Sequence, residues 1–279
     1  MRLKQLIFIF SSVILTFLLI NCGDEPVHSV LEKPIKPKIK STPNINYTYI
    51  NSFPHDKNAF TEGFLIHDGE LYESTGATAE LPQTKSLFGI VDSATGLIDT
   101  KVELDRETYF GEGITFLNGK VYQLTYQAKI GFIYDAITFK ELGTFNLPTK
   151  EGWGMTTDGE SLIMSDGSNN LYYLDPNQLS VVRTVPVSDN GRIVGNLNEL
   201  EFIKGFIYAN VWKTNTIVKI DTANGNVVGK LDLNMLANEA RHTYPYSMDM
   251  NGIAYDSVKG SVFVTGKMWP KYFEIKFNF

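Results

Sequence analysis

The residues best suited to chemistry lie in the stretch Tyr109-Phe110-Gly111-Glu112-Gly113. One carboxylate stands between two glycines, behind two aromatic rings and ahead of the mostly apolar run from Ile114 to Leu117. Glycines let a backbone come close to a ligand because no Cβ intervenes. A carboxylate beside apolar rings loses water, which raises its pKa toward the range useful for proton transfer. Taken alone, the pentapeptide would equally serve as a turn that opens a strand. The rest of the chain weighs against that plainer role, because comparable pieces recur at the same point of a repeat.

From Tyr47 onward the chain reads as short apolar runs punctuated by Gly, Asp and Asn, with almost no helical periodicity. One unit returns at intervals of roughly 40 to 50 residues. It has a polar or Glu-Gly entry, an apolar strand, a tight turn with Gly, and a second apolar strand. The copies begin at Glu62-Gly63, Glu112-Gly113, Trp153-Gly154, Glu199-Leu200 and Asn251-Gly252. Their turns are Asp68-Gly69, Asn118-Gly119, Asp158-Gly159, Lys204-Gly205 and Lys259-Gly260. Asp-Gly and Asn-Gly between apolar runs are strong hairpin signals. Third strands are expected at Leu87–Asp92, Ile130–Asp135, Asn170–Asp175, Thr216–Asp221 and Tyr272–Phe277. Fourth strands are expected at Leu97–Leu104, Lys140–Leu147, Leu179–Val187 and Val227–Leu233. Five units of about four strands imply an all-β, five-bladed β-propeller. The fifth unit has only three strands before Phe279, so Tyr47–Phe53 is expected to supply the fourth and close the ring. A short helix is expected at Asn234–Ala240.

In such a ring, residues just before each first strand and just after each second strand share one rim. The unusual side chains fall at those two places. Phe60, Glu62, Phe110, Glu112, Trp153 and Asn198 precede first strands, and Tyr126, Trp212, Lys267 and Trp269 follow second strands. All three tryptophans of the chain are therefore expected on this rim. Rings with a few polar groups, converging at a channel mouth, suit a small-ligand pocket.

The same places carry a family resemblance. Pro54-His55-Asp56, Phe60-Thr61-Glu62-Gly63, Tyr72-Glu73-Ser74-Thr75-Gly76, Phe110-Gly111-Glu112-Gly113 and Gly131-Phe132-Ile133-Tyr134-Asp135 come first in order. Glu151-Gly152-Trp153-Gly154, the run Asn196 to Glu201, the run Asn251 to Asp256, and Val264 to Pro270 follow. Together they resemble the plant and bacterial glutaminyl-peptide cyclotransferases over about Tyr47 to Phe279. The resemblance implies a five-bladed propeller that converts N-terminal glutamine to pyroglutamate and releases ammonia. It implies no cofactor and no metal, unlike the unrelated zinc enzymes of animals. His28, His55, His67 and His242 are scattered and form no metal-ligand spacing. By motif, Glu112 matches the family's acid/base carboxylate. Phe60, Phe110, Trp153 and Trp212 match its aromatic pocket, and Asn198 and Lys267 its polar residues. Glu62 stands where plant members carry Gln, and Tyr126 where they carry Trp. Two carboxylates on one rim can couple, so that one holds its proton to higher pH.

That chemistry suits these residue types. The substrate's α-amine attacks its own γ-amide carbon, so folding the side chain back supplies much of the rate. One carboxylate can carry the proton from the amine to the departing ammonia. Lys267 and Asn198 are candidate donors to the oxygen that gains charge. The competing reading is a non-catalytic propeller lipoprotein that binds a peptide or protein partner at the same rim, since propellers host many functions.

The N-terminus reads as an export signal. Arg2 and Lys4 precede an apolar run from Leu6 to Ile20, short for a bilayer span but of signal-peptide length. It leads to Leu19-Ile20-Asn21-Cys22-Gly23, which resembles a bacterial lipobox, and Cys22 is the single cysteine of the chain. The expected organisation is a signal peptide over residues 1–21, a lipidated Cys22 with an extended tether over 22–46, and a catalytic propeller over 47–279. Pro26, Pro34, Pro37 and Pro43 fit an extended tether. The expected location is the membrane surface, facing the periplasm or cell exterior, and the expected partners are peptides or proteins with N-terminal glutamine. A formal charge of −6 argues against nucleic acid as a partner.

Overall fold

The structure, a computed structural model, describes residues 41–279. The signal peptide and Cys22 readings lie outside the described residues, as does most of the tether. Strand β1 (Tyr47–Pro54) comes first and is followed by four complete antiparallel sheets. The first is β2 (Thr61–His67), β3 (Glu70–Thr75), β4 (Leu87–Val91) and β5 (Ile98–Glu103). The second is β6 (Gly111–Leu117), β7 (Lys120–Thr125), β8 (Ile130–Asp135) and β9 (Glu141–Asn146). The third is β10 (Met155–Thr157), β11 (Leu162–Met164), β12 (Asn170–Leu174) and β13 (Val181–Pro186). A small hairpin, β14 (Ser188–Asp189) and β15 (Arg192–Ile193), precedes the fourth. That sheet is β16 (Leu197–Ile203), β17 (Phe206–Val211), β18 (Thr216–Asp221) and β19 (Val227–Asp232). Helix α1 (Asn234–Thr243) leads to the fifth, with β20 (Met250–Asp256), β21 (Ser261–Gly266) and β22 (Lys271–Phe277). Its outer strand is β1, paired antiparallel with β22 from Tyr47↔Phe277 to Pro54↔Lys271.

The first strand of each sheet is innermost. β2 packs on β6, β6 on β10, β10 on β16, β16 on β20, and β20 on β2. That closed cycle of inner strands is the five-bladed propeller. Inner strands are buried almost end to end, whereas outer strands such as β13 alternate little and lie mostly exposed. Apolar clusters fill the wedges between blades. One joins Ile163, Leu171 and Val185 of the third blade to Leu200, Ile207 and Val218 of the fourth. Another joins Tyr72 and Phe88 of the first to Ile114 and Phe132 of the second.

The hairpins at Asp68-Gly69 and Asn118-Gly119 have positive φ at both central residues, the backbone that matches the twist of paired strands. Helix α1 runs one turn farther than Ala240, because Leu236, Ala237 and Ala240 bury one face on the fifth blade and Arg241 and His242 suit its C-terminal end. The hairpin β14–β15 is not apparent from the alternation pattern, since each strand has only two residues. Residues 43–45, read from sequence as tether, lie along β19. The Ile45 amide donates to the Lys230 carbonyl at 2.7 Å, and the Lys230 amide to the Pro43 carbonyl at 3.0 Å.

Candidate functional site

Four of the five inner strands carry a register shift at the same point. The shifts lie between Thr61 and Gly63, Gly111 and Ile114, Leu197 and Leu200, and Met250 and Ile253. A bulge bends the strand and re-aims the side chain of the extra residue. The residues inside these bulges are Glu62, Glu112-Gly113, Asn198-Glu199 and Asn251-Gly252. Four of the five blades thus set a polar residue at the channel by one local device. The glycines bring the strands together. A Cβ on Gly113 would lie 2.5 Å from the Met155 nitrogen, and one on Gly154 would lie 2.1 Å from the Asn198 carbonyl oxygen. Only glycine fits so close an approach.

The result is a cavity of about 380 Å³ at the mouth of the channel. Phe60, Phe110, Tyr126, Trp153 and Trp212 form its aromatic wall, and Glu62, Glu112, Asn198 and Lys267 are the polar groups inside it. Trp153 meets Trp212 edge to face at a centroid distance of 5.3 Å. Phe60 meets Phe110 in the same way at 5.8 Å, and Phe110 lies 5.9 Å from Tyr126. The Trp153 indole N–H donates to Glu151 Oε2 at 3.0 Å, which fixes the ring's orientation.

All four polar groups are buried. Lys267 Nζ donates to Glu62 Oε1 at 2.7 Å and sits 4.5 Å from the centre of the Phe60 ring. Asn251 Nδ2 donates to Glu62 Oε2 and to the Thr61 carbonyl, both at 3.0 Å. Burial pushes the Glu62 carboxyl up to about 7 even against the pull of Lys267. Glu112 is held well above the usual carboxylate range. Burial is the main cause, the neighbouring Glu62 adds to it, and Lys267 opposes it. The Glu112 Oε2 and Asn198 Oδ1 atoms have no hydrogen-bond partner among the described residues. A buried polar atom without a partner costs free energy, so these two are poised for something that enters the cavity. The site holds a carboxyl whose burial favours its protonated form, a lysine with donors to spare beyond its ion pair, and a wall of aromatic rings. Among the described residues no three His, Cys, Asp or Glu side chains converge as a metal-binding group.

The nine pocket residues expected from sequence therefore meet in one place. Trp269 of the expected rim does not belong with them, and neither does Glu199, the neighbour of Asn198. Trp269 is fully buried in the core of the fifth blade, where its indole N–H donates to the Met248 carbonyl at 3.0 Å and its ring packs on Phe273. Only two of the three tryptophans face the cavity. Glu199 follows Asn198 in its bulge and turns into the channel. Its two oxygens accept from the Phe64 amide at 3.1 Å and the Ile253 amide at 2.8 Å, binding three inner strands together. Asn251 was visible in its motif but not as a partner of Glu62, because nothing in the sequence gives the distance across the ring. The wall formed by Ala77, Thr78, Ala79 and Glu80 was also missed. The signal for it was the long gap between Gly76 and Leu87.

Comparison with known proteins agrees with this geometry. A family model described as glutamine cyclotransferase matches residues 25–277. An Arabidopsis thaliana protein named glutaminyl-peptide cyclotransferase is 39% identical over 229 residues, covering 81% of this chain and 70% of the plant protein. The crystal structure of Myxococcus xanthus glutaminyl cyclase matches with a TM-score of 0.75 and 31% identity, covering 83% of this chain and 96% of that one.

Proposed function

The chain belongs to the glutamine cyclotransferase family, and from that premise we propose that it cyclises the N-terminal glutamine of peptides or proteins to pyroglutamate with release of ammonia. The observation that carries the reading is the buried Glu112 carboxyl, with one oxygen unpartnered, facing an aromatic cavity. The glutamine side chain folds back between the rings of Phe60, Phe110, Trp153 and Trp212. Its uncharged α-amine attacks the γ-carboxamide carbon, forming the ring C–N bond and a tetrahedral centre. Glu112 relays a proton from the attacking nitrogen to the amide nitrogen, whose C–N bond then breaks to release ammonia. Lys267 and Asn198 stabilise the oxygen that gains charge. Glu62 holds Lys267 in place and raises the proton affinity of Glu112. Tyr126 completes the wall beside Phe110.

The test is ammonia release from a Gln-initiated peptide by the purified protein, with and without a chelator. Stoichiometric loss of one ammonia per peptide, insensitive to chelator, is the expected result. Peptide binding without ammonia would replace the enzyme by a binding module.

The same reading extends to the whole chain. Residues 1–21 direct export, Cys22 carries lipid, residues 22–46 tether the domain, and residues 47–279 form the catalytic propeller. The pairing of β1 with β22 is read as the closure of the ring. The protein then works at a membrane surface, facing the periplasm or cell exterior. Cys22→Ser is expected to move it from the membrane fraction to the soluble fraction; retention in the membrane would refute lipid anchoring.

A further inference from the structure

One connection on the cavity rim differs from its four counterparts. The links from second to third strand span residues 126–129, 165–169, 212–215 and 267–270, four or five residues each. In the first blade the link between β3 and β4 spans residues 76–86, eleven residues. The extra length does not hang free. The Arg106 guanidinium donates to the carbonyls of Pro82 at 2.8 Å, Thr84 at 3.0 Å and Thr78 at 3.0 Å. The Thr78 amide donates to Thr84 Oγ1 at 3.0 Å, and the Ala77 amide to Ser86 Oγ at 3.1 Å. A loop held at both ends and in the middle is a preformed wall, which lowers the ordering cost of binding.

The wall runs from the floor of the cavity to its mouth. Ala77 is buried, Thr78 is half-buried, and Ala79 and Glu80 are exposed, yet all four line the cavity. A glutamine whose reacting atoms reach buried Glu112 must send the rest of its peptide outward along such a path. Ala77 and Ala79 are small and leave room for it. Glu80 stands at the exit with its own backbone and the Thr78 hydroxyl favouring the ionised form. It pairs with no cation among the described residues. The two cations that flank the loop are committed elsewhere, Lys85 to Glu103 at 3.0 Å and Arg106 to the loop carbonyls and Glu107.

We infer that the β3–β4 loop is the subsite for the residue following the N-terminal glutamine, and that Glu80 favours a lysine or arginine there. This rests on the cyclotransferase reading and adds to it a substrate class, N-terminal Gln followed by a cationic residue. An exposed charge pair contributes modestly, so the preference is expected at roughly two- to fivefold in kcat/KM. It should shrink as salt screens the pair.

The experiment compares three peptides that differ only after the glutamine, Gln-Lys, Gln-Ala and Gln-Glu, on the wild-type protein, Glu80→Gln and Glu80→Lys. The wild type should rank Lys above Ala above Glu at low salt. Glu80→Gln should bring the three rates together, and Glu80→Lys should invert the order. Glu80 is exposed, so neither change should disturb folding. Equal wild-type rates on all three peptides, or a ranking unchanged in Glu80→Lys, would overturn the subsite while leaving the cyclase standing. Failure of the wild type on every peptide would overturn the cyclase reading and the subsite with it.

Discussion

Replacing Glu112 with Gln changes one oxygen to an amide nitrogen and keeps the shape of the cavity. The variant can no longer carry a proton, but it still holds the folded-back glutamine between the rings. Positioned proton transfer contributes about 10²- to 10⁴-fold, or about 3–5 kcal/mol of barrier, so kcat/KM should fall by that factor. The proximity contribution survives, because Trp153, Trp212, Phe60 and Phe110 are untouched, so KM should change little. Stability gives an independent check. Burial, then the nearby Glu62, hold the Glu112 carboxyl well above the usual range in the folded protein. A raised folded pKa means that the native state takes up a proton which the unfolded chain releases. The stability associated with that proton is fully present below the ordinary Glu pKa and is lost as pH rises through the folded value. A neutral Gln escapes this loss. The variant should therefore melt at the wild-type temperature or above it at neutral pH, and the difference should vanish in acid. The assay is coupled ammonia release, with thermal melts across pH on the same preparations. Activity within tenfold of wild type would remove Glu112 from the reaction. Lost activity together with a lower melting temperature at neutral pH would make its role structural.

Glu62→Gln removes the main like-charge neighbour of Glu112, so the protonation limb of the pH–rate profile assigned to Glu112 should move to lower pH; an unmoved limb would sever the coupling. Gly167→Ala should raise KM by roughly tenfold with a smaller effect on kcat, since a Cβ at this φ of +77° would lie 2.6 Å from the Trp153 ring and push it from the wall. Steady-state kinetics on one Gln-peptide check it, and a pure kcat loss would contradict it. His55→Gln should cost about 3–5 kcal/mol, because it leaves buried Glu73, which His55 Nε2 meets at 3.0 Å, with the Thr61 hydroxyl but no cationic partner. Burial lowers the His55 pKa, but Glu73 and the Trp269 carbonyl outweigh it and the net shift is upward. This stabilisation is thus full below the ordinary His value and fades as pH rises through the raised one. Denaturant unfolding of both proteins across that range measures it, and a constant gap would refute the charged pair.

How much of this was legible in sequence depended on whether the information was local. Hairpin turns such as Asn118-Gly119 and the apolar runs around them are local, so strands β6 to β9 fall where periodicity places them. The gathering of Glu112, Lys267 and Trp212 was legible only through the repeat, which converts distant positions into one rim. What the repeat does not encode is direction. Trp269 lies two residues from Lys267, yet it turns outward into the fifth blade. Its ring packs over Gly266, where a Cβ would lie 2.4 Å from the indole, so that side chain has a seat of its own. Asn198 and Glu199 are adjacent and turn to different tasks, one into the cavity and one to backbone amides across the channel. The Asn251–Glu62 bond joins positions 189 residues apart, and no pattern in either segment specifies it.

The bulges explain why the site needs the whole ring. In a regular strand, neighbouring side chains point to opposite faces, so a polar residue aimed at the axis would cost the strand its buried alternation. A bulge near the start of β2, β6, β16 and β20 lets one residue leave the alternation while the apolar register beyond it is kept. Glu62 is then held by Lys267 and Asn251 of the fifth blade, and Gly113 of the second blade is tied to the third by the hydrogen bond that its N–H donates to the Trp153 carbonyl at 2.8 Å. Glu62 and Glu199 are thus both held by groups from other blades. Loosening the seam between the first and fifth blades would release Lys267 from Glu62 before any blade unfolds. His55→Gln, which acts on that seam through Glu73 and the Trp269 carbonyl, should therefore lose activity at a lower denaturant concentration than it loses β-sheet signal, and coincident loss of both would show the seam and the site to be independent.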